Sequence, residues 1–296
     1  MRTIAVLLLS CGLLFGLAGA AAADAINPDT GEMAIYYAGA IPAGAISFDG
    51  DLSDWAPMPA PYVWTLATAP RKSDDLKTAE HSLDDFDFVA YIGWIPAENM
   101  IAIAIDVTDD VGSYTREELG WTWVEDNAQF NFDPDHDHLP WGATPEEWSE
   151  EGQQDFFTPD EGIFDTFLES GGKTSADVGL KWAYEEPYLH MGWQKGAGGS
   201  YTLEFAIALF DHLDRAGPDE SVRCMLEPGK TIGFGMFIGD ADSEDDRLGA
   251  AWHFGDPGGG DAETLGNLVL MSLEDTGWGE VAVEPTTWGQ VKSLLK

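Results

Sequence analysis

Cysteine, basic residues and catalytic signatures are what this 296-residue sequence has little of. Of its two cysteines, Cys11 lies in an apolar N-terminal run and Cys224 stands alone, so no intramolecular disulfide can staple the fold. Only 14 Lys and Arg face 53 Asp and Glu, a formal net charge of −39. Such a field repels phosphate backbones and anionic lipid, which argues against nucleic acid and bare membrane as partners. Beyond the N-terminal run no stretch reaches the ~18 apolar residues of a spanning helix, so no membrane span is expected. Gly-x-Ser-x-Gly, His-Glu-x-x-His and Cys-x-x-Cys are all missing, and with them any sequence support for nucleophilic or zinc catalysis. Ser170-Gly171-Gly172-Lys173-Thr174 has the look of a phosphate loop, but Phe167 stands where that motif needs its first glycine. Carboxylates are too numerous for composition to single out a glycosidase-type pair, so no catalytic residue is assigned. An enzymatic reading would reduce to O-glycosyl hydrolysis or an accessory role in it.

What is present begins with an export signal. Met1-Arg2-Thr3, an apolar run from Ile4 to Leu17 and small residues to Ala23 fit a secretory leader over residues 1–23. An N-terminal segment (24–45) follows. From Ile46 the signals are mostly those of strands. Phe86 to Trp94 is aromatic and β-branched, Ile101 to Val107 alternates large with small, and Asn127 to Phe132 and Tyr201 to Ile207 alternate again. His190 to Trp193 and the Tyr201 run flank Gly196–Gly199, a hairpin connection. Many short, turn-separated strands with little helical periodicity predict an all-β, antiparallel, jelly-roll-like β-sandwich over 46–273. One stretch breaks the rhythm. No Lys or Arg lies between Arg116 and Lys173, and from about 134 to 175 acidic and aromatic residues alternate without a recognisable strand. This reads as a long acidic, aromatic-rich insertion. The tail, 274–296, carries a short helix at Thr286–Lys296, with Trp288, Val291 and Leu294 on one stripe.

Two features suggest ligands. Asp133, Asp135 and Asp137 present carboxylates at every second residue after one strand, and Asp240, Asp242 and Asp245 crowd together after another. Closely spaced aspartates supply the six to eight oxygens a hard cation collects, which makes calcium the expected metal. Neither stretch has an EF-hand's spacing. His136 and His138 would instead suit a transition metal. The second feature is 12 tryptophans, many beside turns. An indole offers a flat apolar platform for the C–H face of a sugar, and nearby amides and carboxylates supply polar handles.

Four stretches in order carry a family resemblance. Ile46-Ser47-Phe48-Asp49-Gly50-Asp51-Leu52-Ser53-Asp54-Trp55 opens it. Ile101 to Val107 running into Thr108-Asp109-Asp110 comes second, and Trp123-Val124-Glu125-Asp126-Asn127-Ala128-Gln129-Phe130-Asn131-Phe132-Asp133 third. Gly233-Phe234 through Asp240-Ala241-Asp242, then Arg247, Trp252 and Leu265-Gly266-Asn267-Leu268, closes it. Together they resemble carbohydrate-binding module family 9 and related DOMON-like sandwiches. The resemblance implies a calcium-bearing sandwich that binds sugars or polysaccharide ends, commonly attached to secreted polysaccharide-degrading enzymes. It implies Trp123 as a stacking platform and places Gln129 where the family has an acidic sugar contact; the Arg the family has after the third stretch is missing here, and Asn131 and Arg247 are the further polar candidates. Gly258-Gly259-Gly260-Asp261 occupies the place of the family's second stacking tryptophan, leaving Trp121, Trp141, Trp148 and Trp252 as candidates for the opposing ring.

The first expectation is therefore a secreted (extracellular or periplasmic), non-catalytic carbohydrate-binding module. Its sugar residues are Trp123, Gln129, Asn131, Trp121, Trp252 and Arg247, and its metal residues Asp133, Asp135, Asp137, Asp240, Asp242 and Asp245. A structural or surface-attachment sandwich that has lost its sugar site is the alternative. A haem-binding DOMON-like domain, with ligands among Met191, His190, Met236 and His253, comes third.

Overall fold

The computed structural model describes residues 35–66, 68–69, 85–112, 125–137, 152–160, 162–166, 174–242, 250–254, 262 and 265–279. The leader, the Thr286–Lys296 helix, Trp121, Trp123, Trp141, Trp148, Asp245 and Arg247 lie outside them. Strand makes up 46% of the structure against 12% helix, so the fold is all-β. In chain order the strands are β1 (Ile35–Ala40), β2 (Val63–Thr65), β3 (Phe86–Ile95), β4 (Met100–Asp109), β5 (Asn127–Asp133), β6 (Gln153–Thr158) and β7 (Ile163–Thr166). They continue with β8 (Leu189–Lys195), β9 (Tyr201–Ile207), β10 (Phe210–His212), β11 (Val222–Arg223), β12 (Thr231–Asp240), β13 (Ala250–Phe254) and β14 (Gly266–Leu270).

One layer runs β7-β6-β5-β12-β14-β1, with β13 pairing the far half of β12; the other runs β1-β3-β4-β9-β8, with β2 beside β3. Strand β1 belongs to both. Ile35–Ala38 pair with Asn267–Leu270 of β14, and Gly39–Ala40 then pair with Gly93–Trp94 of β3. Both pairings are parallel, whereas the other ladders are antiparallel. A strand that changes sheet curls the whole array into a sandwich. The expected hairpin is present, with β8 and β9 paired from Leu189↔Ile207 to Lys195↔Tyr201.

Period-two alternation decides which residues meet between the layers. Ile101, Ile103 and Ile105 of β4 enter the main core, where Phe130 of β5 meets Phe205 of β9 edge-on at 4.7 Å between ring centres. The alanines between those isoleucines, Ala102 and Ala104, face the other way. They line a second core with Trp55, Met58 and Tyr62, which lies over the outside of the β8-β9-β4-β3 layer. Small residues there let the covering chain approach closely.

The opening stretch of the family resemblance is explained by this second core. Glu204 of β9 is fully buried and points outward. Its Oε1 accepts from the backbone N–H groups of Asp49 and Gly50, each at 2.7 Å, and its Oε2 accepts from the Trp55 indole at 2.8 Å. Gly192 of β8 makes room, since a Cβ there would lie 2.4 Å from the Phe48 carbonyl carbon. Phe48 to Trp55 is thus an architectural latch.

The stretch 134–175, expected to hold no strand, contains two. β6 pairs with β5, from Ala128↔Phe157 to Phe132↔Gln153, and β7 pairs with β6. Both extend the first sheet. β6 escapes a reading by hydropathy because two of its three inward residues, Gln153 and Asp155, are polar, only Phe157 joining the main core. Gln153 holds the 208–210 segment in both directions, accepting from Phe210 N at 2.8 Å and donating to the Ala208 carbonyl at 3.2 Å. Asp155 accepts from the Tyr184 hydroxyl at 2.7 Å.

Candidate functional site

Two polar regions lie along β5, one on its outward face and one at its ends. While Ala128, Phe130 and Phe132 face the core, Asn127, Gln129, Asn131 and Asp133 form the outward row, and all four are buried. Gln154 of β6 pairs with Asn131 and continues the row, and on the other side β12 contributes Gly235 opposite Asn131 and Gly233 opposite Asp133. Across Gly233 from Asp133 stands Asn267 of β14. Glycines on the central strand put no side chain between the β5 row and Asn267.

The hydrogen bonding of that face is incomplete. Gln129 donates to the Asn127 side chain at 3.2 Å. Asn131 is 0% exposed, yet neither its Nδ2 nor its Oδ1 has a hydrogen-bond partner. Asn267 accepts at Oδ1 from the His136 ring at 2.6 Å, while its Nδ2, also buried, has no partner. Leaving such a group unpaired costs on the order of 1–3 kcal/mol, and native proteins carry few of them. These amides form a neutral surface able both to donate and to accept.

At the ends of β5 are carboxylates. Where β4 and β12 finish and β5 begins, the two layers bring Asp109, Asp126 and Asp240 together, with ligand atoms within 4.8 Å of one another and all three residues buried. Asp85, Asp110 and Asp242 form a second, more exposed triad. The hairpin glycines seat the first, as a Cβ on Gly199 would run into the Asp109 carboxylate. Asp109 accepts from Val111 N and Asp126 from Ala241 N, but Oδ1 of Asp240 is buried without a partner. Burial first, then Asp109, Asp126, Asp242 and Asp85, push the Asp240 carboxyl up to about 9. Burial, with Asp242, Asp110 and Asp85, brings Asp109 to about 6 against the pull of the Val111 amide. An all-carboxylate oxygen set of this kind can hold a hard cation. The third triad, Asp133, Asp135 and Asp137, closes within the same 4.8 Å at the opposite end of β5.

Compared with the residues expected from sequence, Asp133, Asp135 and Asp137 do gather. Asp240 and Asp242 fall in different triads, because successive side chains of the turn after β12 serve different neighbours. Asp85, Asp109, Asp110 and Asp126 were not singled out as metal residues, although three of them stand within the quoted family stretches. What unites them is position at strand ends, a signal only the strand order reveals. Gln129 and Asn131 share the outward face. For Trp252, only its place in β13, opposite Ile238, is described. Of the haem candidates, Met236 is buried in the main core and His190 is held between Glu186 at 2.8 Å and Glu98 at 3.4 Å, while of His253 only its place in β13, opposite Phe237, is described.

No family model and no curated protein matches the sequence. Among solved structures, the fold is similar to a family 9 carbohydrate-binding module from Caldicellulosiruptor kristjanssonii in complex with cellotriose. That likeness has a TM-score of 0.48 at 13% identity, covering 85% of this chain and 100% of that one. A family 9 module of the same organism in complex with glucose gives 0.49 at 13% identity, covering 80% and 96%.

Proposed function

We propose that this protein is an exported, non-catalytic carbohydrate-binding module that holds neutral sugar on the outward face of β5 and is stabilised by calcium at the strand-end triads. The fully buried, wholly unpartnered Asn131 amide carries the reading. A sugar hydroxyl both donates and accepts, so two neighbouring hydroxyls satisfy both atoms of one amide without bringing a charge into a buried place. Gln129, Gln154 and Asn267 supply further amides on the same face. The resemblance assigns ring stacking to Trp123; Trp121 and Trp252 are candidates for the opposing ring and Arg247 for a further polar contact. The leader at 1–23 supports secretion, and a role in polysaccharide breakdown follows from the enzymes such modules accompany.

For the cation, an oxygen-only donor set and an orphaned, buried Asp240 oxygen support calcium over a softer metal. The Asp133/Asp135/Asp137 group is a further candidate for the same ion.

Isothermal titration with glucose, cellobiose and cellotriose, in calcium and in chelator, tests the assignment. Binding is expected in calcium, without release of reducing sugar, and Asn131→Leu should abolish it. A wild-type protein silent to all three sugars, or an Asn131→Leu protein that binds as well as wild type, would overturn it.

A further inference from the structure

The orphaned donor of Asn267 has a cause outside its own strand. His136 follows the end of β5 in a left-handed backbone conformation (φ 58°), and its N–H donates to Oδ1 of Asp133 at 3.0 Å. From there the imidazole crosses to β14 and meets Asn267 Oδ1 at 2.6 Å. The intervening residue of β12 is Gly233, where a Cβ would stand 2.7 Å from the Cβ of Asp133. Asn267 Oδ1 can only accept, so His136 Nε2 must carry the proton. The amide is then locked with its oxygen toward the loop, and its NH₂, buried on the same face as Asn131, has no partner.

We infer that His136 is a positioning residue that sets the specificity of the sugar face, fixing Asn267 as a pure donor. The ligand atom that meets Asn267 is therefore one with a free lone pair: a hydroxyl, a ring oxygen or an ether. A protonated amino group, which has no lone pair, is rejected there. Asn131 differs because both its atoms are free, so it takes a hydroxyl in either sense. This rests on the sugar-binding reading above and deepens it: the face distinguishes neutral, oxygen-rich sugars from amino sugars.

The test compares glucose with glucosamine, at a pH where the amine is charged, on wild type, His136→Leu, His136→Gln, Asn267→Ala and the His136→Leu/Asn267→Ala pair. Thermal melts confirm that each is folded. Wild type should prefer glucose. His136→Leu should lose about tenfold in glucose affinity, the worth of one oriented hydrogen bond, and most of the preference. His136→Gln, which keeps an N–H donor, should restore both. The double variant should be no weaker than Asn267→Ala alone, since His136 acts only through Asn267. Nitrogen NMR of the imidazole should show Nε2 carrying a proton. An unprotonated Nε2, additive losses, or glucose binding unchanged in His136→Leu would overturn the inference while leaving the sugar reading intact. A wild type that binds neither sugar overturns both.

Discussion

Glu204 and Asn131 are both fully buried polar side chains on the outward faces of the two layers, and they have opposite hydrogen-bonding fates. Glu204 receives three N–H donors from the chain that covers it; Asn131 receives none. A buried polar group that the fold needs is one the fold completes. A buried polar group left incomplete costs stability and points to a partner outside the chain. The same contrast separates the outer face of the β8-β9-β4-β3 layer, closed by a second apolar core, from the outer face around β5, lined with amides.

The largest effect is expected on the completed side. Glu204→Ala leaves the Asp49 and Gly50 amides and the Trp55 indole without an acceptor inside an apolar cluster, and it opens a cavity beneath them. Denaturant unfolding should show a loss of about 3–5 kcal/mol, while the folded fraction keeps its sugar affinity. A loss below about 1 kcal/mol would mean that the Phe48–Trp55 latch is held by apolar packing alone.

Next comes the cation. Six carboxylates converge at the strand ends, so calcium should raise the melting temperature relative to chelator. At a hundredfold excess over its dissociation constant one bound ion stabilises by about 2.7 kcal/mol. Asp240→Asn should shrink that response from both sides, removing a ligand and also relieving the repulsion that burdens the metal-free protein. Equal melting temperatures in millimolar calcium and in chelator would remove the metal from the account.

Asp155 gives a pH dependence of known sign. Burial, reinforced by Asp165 and opposed by the Tyr184 hydroxyl, raises its carboxyl to about 8 from the usual 3.8. Between those values the folded chain retains a proton that the unfolded chain releases. Its contribution is therefore fully present below about pH 4 and lost as pH rises through 8. Asp155→Asn, which still accepts from Tyr184, should flatten this slope and gain about 2 kcal/mol at pH 8 in chemical denaturation. An unchanged slope would show that Asp155 titrates like an exposed acid.

Much of the sandwich was legible because alternation is local. Ile101 to Val107 declares its bulky, main-core side within seven residues, and Gly196–Gly199 marks its own hairpin. β6 was illegible because Gln153 and Asp155 face inward and are paired by Phe210, Ala208 and Tyr184, partners far along the chain. The acidic sites were half legible for the same reason. Asp133, Asp135 and Asp137 are neighbours in sequence and in space. Asp109, Asp126 and Asp240 meet only because β4 and β12 finish where β5 begins. Asn131 could be placed on the outward face by counting, but no sequence pattern announces that its amide goes unpaired.

Asn131→Leu is the smallest change in stability expected and the sharpest test of the contrast. Replacing an unpaired buried amide with an apolar side chain of similar size removes a desolvation cost and breaks no hydrogen bond. Stability should therefore stay level or rise by up to about 1 kcal/mol. Affinity for sugar should disappear, since the group that distinguished this face from the other is gone. Paired with Glu204→Ala, it separates two uses of buried polarity in one sandwich, one variant losing stability while keeping binding and the other the reverse. If Asn131→Leu instead destabilises the protein by as much as Glu204→Ala does, then Asn131 is completed in solution by groups of the chain itself, and its face is architecture like the other.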